Sequence, residues 1–228
     1  MGDVHGECRL LEALLEEIGR DAAGLGATPR RTVVFLGDYV DRGPDSRGVV
    51  DLLLQRPLNG AEHRFLLGNH EQAMLDFLRD PEAGAGWLAY GGIMTADSYG
   101  VRAALPASPA SRAAFRDALA AAMPPAHLAF LEALEPSATY GDYAFAHAGV
   151  RPGLSLDDQH PDDLLWIREP FLNWTGSFGK RIVHGHTIRP APEVLPNRIG
   201  IDTGAYATGV LTAVALSGSQ VRILQARR

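Results

Sequence analysis

The chain has 228 residues, of which 46% are hydrophobic and 21% charged, with a formal net charge of -6. This length suits one large domain that buries a substantial core, and the acidic balance argues against a nucleic-acid backbone as a partner. Its one cysteine, Cys8, excludes an intramolecular disulfide and favours a reducing compartment. No stretch approaches the roughly 20 apolar residues that span a bilayer, and no leader is apparent, so we expect a cytoplasmic protein without a membrane partner.

The first motif comprises Gly2–Gly6, and leucines at helical spacing follow it from Glu7 to about Gly19. Asp3 and His5 are two residues apart in this glycine-bounded turn, so both side chains can point at one ion. A pattern this short predicts a metal site only weakly by itself. Related turns further along the chain therefore decide its meaning.

The second motif, Gly37–Gly43, follows the lead-in Thr28–Arg31 and a predicted buried strand, Thr32–Leu36. It carries two carboxylates and an arginine at the end of a strand, where open α/β sheets place their chemistry. Such a turn suits a site that holds a cation and a phosphate together. Pro44 then opens a second helix, whose apolar residues we assign to the core.

A third unit of strand, polar turn and helix comprises His63–Leu67 and Gly68–Glu71, with a helix beginning at about Glu71. Repetition of this order predicts βαβ connections and largely parallel strands. From Asp80 to Leu134 the pattern becomes alanine-rich helix divided by prolines. We expect one domain, residues 1–228, with a helical cap insertion at approximately residues 80–134.

Strand-like patterns dominate after Pro136. Two strands flank a predicted hairpin turn at Gly141–Asp142, the second strand runs into His147, and a later strand leads into His186. Three further strand candidates in the tail are Arg198–Ile201, Val210–Leu216 and Val221–Leu224. We therefore predict an α/β fold in which a two-sheet β-sandwich is flanked by helices.

Six polar residues share one placement: each follows a predicted strand, or the place where a strand should end, and has a glycine close by. They are Asp3, His5, Asp38, Asn69, His147 and His186. Carboxylate, imidazole and amide oxygen together suit Mn²⁺, Fe or Zn. One carboxylate between two ligand groups can bridge two ions roughly 3.5–4 Å apart, and such a pair generates hydroxide at neutral pH and stabilises a pentacovalent phosphoryl centre.

Five motifs in this order, GDVHG, GDYVDRG, GNHE, HAG and GHT, resemble the metallophosphoesterase (calcineurin-like) superfamily. They resemble more narrowly its phosphoprotein phosphatase branch, which includes bacterial and phage serine/threonine phosphatases. The motifs extend from Gly2 to Thr187, and the ordered set is far more specific than any one of them. Trp87, Gly91–Gly92 and Thr95 also resemble the bacterial members.

The resemblance implies a cofactor of two divalent or trivalent metal ions, with Mn²⁺ in first place and Fe or Zn as alternatives. Asp3 and His5 would bind the first ion, and Asp38 would bridge the two. The second ion would be held by Asn69, His147 and His186.

The same resemblance implies roles around the phosphate. His70 would protonate the leaving oxygen, and Asp41 would hold its imidazole in the donating state. Arg42 and Arg168 would clamp phosphate oxygens by bidentate hydrogen bonds, although a surface salt bridge is the alternative for Arg168. The implied reaction is in-line attack on phosphorus by a hydroxide that bridges the metals, without a phosphoenzyme.

Three functions stay open at this point. The first is a serine/threonine protein phosphatase that acts on a phosphorylated protein or a small phosphoester. The second is a symmetrical dinucleoside tetraphosphate (Ap4A) hydrolase, whose metal ligands are the same. The third is a non-catalytic binding module, which the presence of Asp38, His70 and the arginines disfavours.

The remaining polar residues receive structural assignments. Asp202 is a candidate for orienting a metal-bound histidine, and His184 is assigned to a strand. A nucleophilic cysteine needs a nearby base and a different scaffold, so Cys8 is rejected. We expect the other histidines to face solvent; they are His63, His127 and His160. Family members usually carry a hydrophobic strand before the first motif, so its absence here predicts an upstream start or a loose first metal site.

Overall fold

The computed structural model describes residues 1–24, 30–102 and 105–228. The lead-in predicted at residues 28–31 and the insertion predicted at residues 80–134 therefore lie partly outside the described residues. The strands are β1 (Arg31–Phe35), β2 (Ala61–Phe65), β3 (Ser137–Tyr140), β4 (Tyr143–Ala146), β5 (Arg181–His184), β6 (Glu193–Val194), β7 (Arg198–Gly200), β8 (Val210–Ser217) and β9 (Gln220–Arg227). The α-helices are α1 (Cys8–Ala23), α2 (Ser46–Leu54), α3 (Asn69–Arg79), α4 (Ile93–Ser98), α5 (Pro109–Ala122), α6 (Pro125–Glu132), α7 (Pro161–Trp166), α8 (Glu169–Leu172) and α9 (Ala205–Thr208).

One layer of the fold is organised around the parallel pair β1 and β2 and the antiparallel hairpin of β8 and β9. The backbone of Met1 and Gly2 lies between these two pairs. The Met1 carbonyl accepts a hydrogen bond from the Leu36 N–H at 3.0 Å, and the Gly2 N–H donates to the Thr212 carbonyl at 2.9 Å. Met1 and Gly2 therefore connect the end of β1 to β8. They lie where the resemblance predicted a hydrophobic strand before the first motif.

The turn that follows Gly2 is tied to the second motif by backbone hydrogen bonds. The N–H groups of Val4 and His5 donate to the Asp38 carbonyl at 3.0 and 2.8 Å, and the Gly6 N–H donates to the Tyr39 carbonyl at 2.8 Å. Three such bonds hold the first motif against the second in a fixed register.

The second layer has the strand order β3-β4-β5-β7-β6. The β3–β4 hairpin turns at the predicted Gly141–Asp142, whereas β4, β5 and β7 run parallel. Apolar residues of the two layers meet between them; Leu36 and Leu66 pack in one cluster with Phe145 and Val183. The predicted two-sheet α/β sandwich is confirmed.

Helices cover both outer faces of the sandwich. In α1 the leucines at positions 10, 11, 14 and 15 are buried, as their spacing predicts, and pack against β8 and β9. On the far face Leu164 and Phe171 pack on β4 and β5. Helices α4, α5 and α6 pack with α3 around Phe77, Trp87 and Phe115. The division of the chain into a core and an insertion stays a prediction. Among the described residues no helix is long and apolar enough to cross a membrane.

Candidate metal centre and acid site

The five motifs converge because each follows a neighbouring piece of the sandwich. Asp38 comes after β1, Asn69 and His70 begin α3 after β2, His147 follows β4, and His186 follows β5. Since strands of one direction end at the same edge of a sheet, these side chains meet there. All six predicted metal ligands, and His70 and Asp41 beside them, are buried.

Asp38 stands at the centre of the candidate metal site. One of its oxygens, Oδ2, lies 3.4 Å from His5 Nε2, and the other, Oδ1, lies 3.5 Å from His147 Nε2. Two groups of possible ligand atoms result, and Asp38 belongs to both. The first group adds His5 and His70, and the second adds His147 and His186. A carboxylate with one oxygen toward each group has the geometry of a bridging ligand.

Asn69 joins the second group through its side-chain oxygen. Its Oδ1 lies 2.8 Å from His147 Nε2 and 2.9 Å from His186 Nδ1. One acceptor oxygen between two ring nitrogens is an arrangement in which all three atoms face a common point. The structure thus brings Asn69, His147 and His186 together as predicted.

Asp3 belongs to neither of those groups but lies against His186. Its Oδ2 accepts a hydrogen bond from the His186 N–H at 2.9 Å. Asp3 Oδ1 and His186 Nε2 are buried and have no hydrogen-bond partner among the described residues. Buried polar atoms are nearly always paired, so the unpaired Asp3 oxygen fits coordination by a cation, whereas His186 faces the other ligands through Nδ1. A Cβ atom at Gly185 would lie 1.9 Å from Asp3 Oδ1, so only glycine permits this approach.

The electrostatics of the site match the donors that a metal requires. Burial, with the neighbouring His186, lowers the pKa of His147 far below its usual value, and burial with the Arg168 charge lowers that of His186 to about 3. Burial raises the pKa of Asp38 to about 6 and raises that of Asp3 well above its ordinary range. Neutral imidazoles keep a lone pair for a metal, and crowded carboxylates gain from a cation. The residues present therefore fit a metal centre.

His70 and Asp41 form the predicted pair. His70 Nδ1 lies 2.6 Å from Asp41 Oδ2, while His70 Nε2 lies 4.0 Å from Asp38 Oδ2. Burial disfavours the protonated ring, but the Asp38 charge and the Asp41 hydrogen bond outweigh burial and raise the pKa of His70. A ring held in the protonated form beside the metal ligands can act as an acid.

The two arginines have different surroundings. Arg42 Nη1 lies 3.1 Å from His5 Nε2, and its guanidinium lies 4.9 Å from the centroid of the Tyr206 ring. Arg168 is exposed and donates to Thr187 Oγ1 at 3.2 Å. Its Thr187 contact is neutral, so the choice between phosphate binding and a surface salt bridge stays a prediction for Arg168.

Several non-glycine residues of the site have left-handed backbone conformations, which the sequence does not reveal. Six non-glycine residues among those described have a positive φ, and only Arg56 lies away from the site. Left-handed backbone is unfavourable for side chains other than glycine and persists where surrounding contacts hold it. The other five are His5, Asp38, Asp41, Arg42 and His186.

Glu71 supplies much of that support, and the sequence analysis gave it no role. Its carboxylate accepts the N–H groups of Asp38 and Tyr39 at 2.8 Å, of Val40 at 3.1 Å, and of Gly68 at 3.1 Å. Glu71 is fully buried, and burial raises its pKa to about 8. The signal that could have identified Glu71 was its position in the third motif, in the first turn of α3.

Two histidines contradict the expectation of solvent exposure. His63 is buried and stacks with Phe35 and Phe65, at centroid distances of 6.4 and 6.1 Å. His127 is buried between the Tyr99 hydroxyl, 2.9 Å from its Nδ1, and an Asp51 carboxylate oxygen, 3.0 Å from its Nε2. Both predictions are wrong because partners from distant elements enclose the rings. His160 is exposed as predicted.

Three further assignments are resolved by position. Asp202 accepts the Gly204 N–H at 2.8 Å, and its charge adds to burial in raising the pKa of Asp3; its role in orienting a metal-bound histidine stays a prediction. His184 is the last residue of β5, and its ring packs edge-on against Phe171. Burial raises the pKa of the Cys8 thiol to about 11, which agrees with its rejection as a nucleophile.

Comparisons with known proteins agree with this geometry. A family model described as calcineurin-like phosphoesterase matches residues 1–190. The chain is 31% identical over 217 residues to serine/threonine-protein phosphatase 1 of Salmonella typhimurium, covering 93% of this chain and 88% of that protein. It is 25% identical over 237 residues to the asymmetrical bis(5'-nucleosyl)-tetraphosphatase PrpE of Bacillus thuringiensis, covering 94% and 88%.

Two solved structures share the fold. A crystal structure of a candidate diadenosine tetraphosphatase superposes with a TM-score of 0.65 and 24% identity, covering 99% of this chain and 91% of that one. A mutant cold-active protein tyrosine phosphatase superposes with a TM-score of 0.60 and 17% identity, covering 98% and 76%. At these identities the likeness concerns the fold alone.

Proposed function

The chain belongs to the calcineurin-like phosphoesterase family, and we propose that it is a metal-dependent phosphatase that removes phosphate from serine or threonine side chains of proteins. The observation that carries this proposal is the double placement of Asp38, whose two oxygens face separate ligand groups. The His70–Asp41 pair lies directly beside those groups. A two-ion clamp next to a proton donor is the arrangement that phosphoester hydrolysis requires.

In this proposal Asp3 and His5 would hold one ion, and Asp38 would be shared with the other. Asn69, His147 and His186 would hold the second ion. When bound, two such ions, which we take to be Mn²⁺, supply positive charge to the phosphoryl oxygens and a nucleophilic water at neutral pH.

The chain's own residues complete the chemistry. His70 gives the proton on Nε2 to the leaving oxygen as the P–O bond breaks. The other ring proton stays on Nδ1, which donates a hydrogen bond to Asp41 Oδ2. Arg42 and Arg168 bind the remaining phosphoryl oxygens through their planar guanidinium groups. Arg42 Nη1 lies 3.1 Å from His5 Nε2, which places the guanidinium beside a residue that would hold the first ion.

The protein substrate is favoured by a relative. Of the relatives described above, the serine/threonine-protein phosphatase has the highest identity and is aligned over 93% of this chain. A phosphorylated side chain also needs an open approach to the metal ligands. Arg168 is exposed and its charge acts on His186, so this edge of the site is open to solvent.

A second candidate is hydrolysis of dinucleoside tetraphosphates, and a specific feature supports it. Tyr90 and Trp166 are 51% and 43% exposed, and their ring centroids lie 6.4 Å apart. Tyr90 adjoins His70, and Trp166 adjoins His186. Exposed aromatic rings beside the reacting groups suit stacking with a nucleobase. The PrpE relatives are named asymmetrical, whereas the sequence analysis considered the symmetrical reaction.

The deciding experiment compares a phosphoserine peptide with diadenosine tetraphosphate at equal concentrations of enzyme and Mn²⁺. We expect phosphate release from the peptide to be the faster reaction, and His70→Asn protein serves as the matched control. Faster cleavage of the dinucleotide would assign the second function. Hydrolysis of neither compound, nor of p-nitrophenyl phosphate, by metal-loaded protein would leave a binding module.

A further inference from the structure

The Asp41 carboxylate has more partners than its pairing with His70 requires. Trp87 Nε1 donates to Asp41 Oδ2 at 2.9 Å and lies 3.1 Å from Oδ1. The Thr95 hydroxyl donates to Oδ1 at 2.6 Å. With His70 on Oδ2, both oxygens are hydrogen-bonded, and Asp41, Thr95 and Trp87 are almost completely inaccessible to solvent.

The direction of the hydroxyl groups in this network is determined. Thr95 Oγ1 also lies 2.8 Å from the Asp41 N–H and 3.0 Å from Ser46 Oγ. Because the single Thr95 proton goes to the Asp41 carboxylate, Thr95 accepts from the Asp41 N–H and from Ser46. A chain of donors therefore runs from Ser46 through Thr95 to Asp41, and it leaves His70 Nδ1 as a donor to the same carboxylate.

The segment that carries Trp87 and Thr95 is shaped to make this approach. It forms a wide helical turn over Leu88–Gly92, in which Gly91 has a φ of 115°. A Cβ atom at Gly91 would lie 2.7 Å from the Arg42 backbone nitrogen, and one at Gly92 would lie 2.5 Å from the Trp87 ring. Both glycines are thus needed for the segment to lie against the second motif.

We propose that Trp87 and Thr95 are positioning residues for the general acid, so that the helical segment following residue 80 supplies part of the acid apparatus. The proposal rests on the phosphoesterase function proposed above. Two donors outside the Asp41–His70 pair fix the rotation of the carboxylate, and the carboxylate in turn fixes the ring plane and the Nδ1–H tautomer of His70. The Nε2 proton is then aimed at the leaving oxygen, without Trp87 or Thr95 touching substrate.

Leaving-group dependence tests this role. Phenyl phosphate has a poorer leaving group than p-nitrophenyl phosphate and needs more help from an acid. We expect Thr95→Val and Trp87→Phe each to lower turnover of phenyl phosphate by about 10- to 100-fold, the effect of losing a hydrogen bond to a charged group. Turnover of p-nitrophenyl phosphate should fall by about twofold only, because that leaving group departs readily without a proton.

Matched controls separate positioning from general damage. Trp174→Phe removes a 41% exposed indole, and Thr139→Val removes an exposed hydroxyl, both away from Asp41. Each should leave both reactions unchanged. In the His70→Asn background, Trp87→Phe and Thr95→Val should cause no further loss, because residues that act through one group are not additive.

The outcomes are distinguishable from failure of the proposed function. If metal-loaded wild-type protein hydrolyses neither ester, the phosphoesterase proposal itself is wrong. If wild type hydrolyses both but the variants slow both esters equally, or slow the His70→Asn protein further, the positioning role is overturned. Thermal unfolding of each variant is measured alongside, and Thr95→Ser, which keeps the hydroxyl, should restore turnover of phenyl phosphate.

Discussion

The two halves of the site differ in how far protein hydrogen bonds satisfy their buried polar atoms. The metal side consists of Asp3, His5, Asp38, Asn69, His147 and His186, and two of its buried atoms lack a partner within the described part of the chain. The acid side consists of Asp41, His70, Trp87 and Thr95, and both carboxylate oxygens there are fully engaged. The metal side therefore has polar atoms that no protein group satisfies, whereas protein groups alone satisfy the carboxylate on the acid side.

This difference suggests that the two halves can be perturbed separately. Cations should govern occupancy and charge on the metal side, because crowded carboxylates and neutral imidazoles are arranged to receive them. Hydrogen bonds should govern geometry on the acid side. Asp38 connects the metal side to the acid side, because its Oδ1 accepts a hydrogen bond from the backbone N–H of His70 at 3.1 Å.

The largest expected effect comes from Asp38→Asn, which removes the one carboxylate that both ligand groups share. We expect the protein to lose its bound Mn²⁺ and its turnover to fall to the assay background. Metal content by mass spectrometry and hydrolysis of p-nitrophenyl phosphate check this. Full metal content in that variant would show that Asp38 does not bridge.

The next largest effect is a loss of turnover without a loss of metal. His70→Asn should retain both ions but lower turnover by roughly 10²–10⁴, the usual contribution of a general acid. Metal content and turnover measured on the same sample decide the matter. If the variant lost metal together with activity, His70 would be needed for metal binding, and the two sides could not be perturbed separately.

A smaller effect is expected from Glu71→Gln, which keeps the shape of the side chain that holds the Asp38 turn. It replaces one of the two oxygens, each of which accepts two N–H groups, by an amide NH2 that cannot accept a hydrogen bond. We expect Mn²⁺ affinity to fall by about 10- to 100-fold, the usual result of losing support behind a ligand. Turnover at saturating Mn²⁺ should fall much less. Titration of activity against Mn²⁺ provides the measurement, and unchanged affinity would place Glu71 outside the metal side.

The smallest effect is a pH dependence in metal-free protein. Burial raises the pKa of Glu71 from 4.5 to about 8, so its folded form binds a proton more readily than the unfolded chain does. The resulting stability is present below pH 4.5 and is lost as pH rises through 8. Between pH 7 and 9 chelated wild type should therefore lose about 1 kcal/mol relative to Glu71→Gln, measured by urea unfolding. An equal slope in the two proteins would contradict this.

The sequence predicts which side chains of the metal side come together because their positions are set locally. His147 follows β4 directly and Asp38 follows β1 after two residues, and a strand's end together with a nearby glycine specifies where such a side chain lies. The order of the five motifs gives a specificity for the family that no single motif has. The two-sheet sandwich follows from the same alternation of strands and helices. Among the strands of the described residues, the two-residue strand β6 is the one that the sequence did not predict.

The acid side is harder to predict because its parts come from separate regions. Trp87 and Asp41 are 46 residues apart, and Thr95 and Asp41 are 54 residues apart. Spacing along the chain gives no sign of those contacts, although the resemblance had singled out the segment. The buried His63 and His127 escaped for the same reason, since their partners belong to other elements.

Trp87 also gives the molecule an internal optical reporter. The chain has three tryptophans, and Trp166 and Trp174 are 43% and 41% exposed, whereas Trp87 is enclosed. An indole shielded from water emits at shorter wavelength than one in contact with it, and a protonated imidazole nearby quenches emission. With Trp166 and Trp174 replaced by phenylalanine, the remaining fluorescence would come from Trp87, which shares Asp41 Oδ2 with His70, and would report on the charge of that ring without any added label.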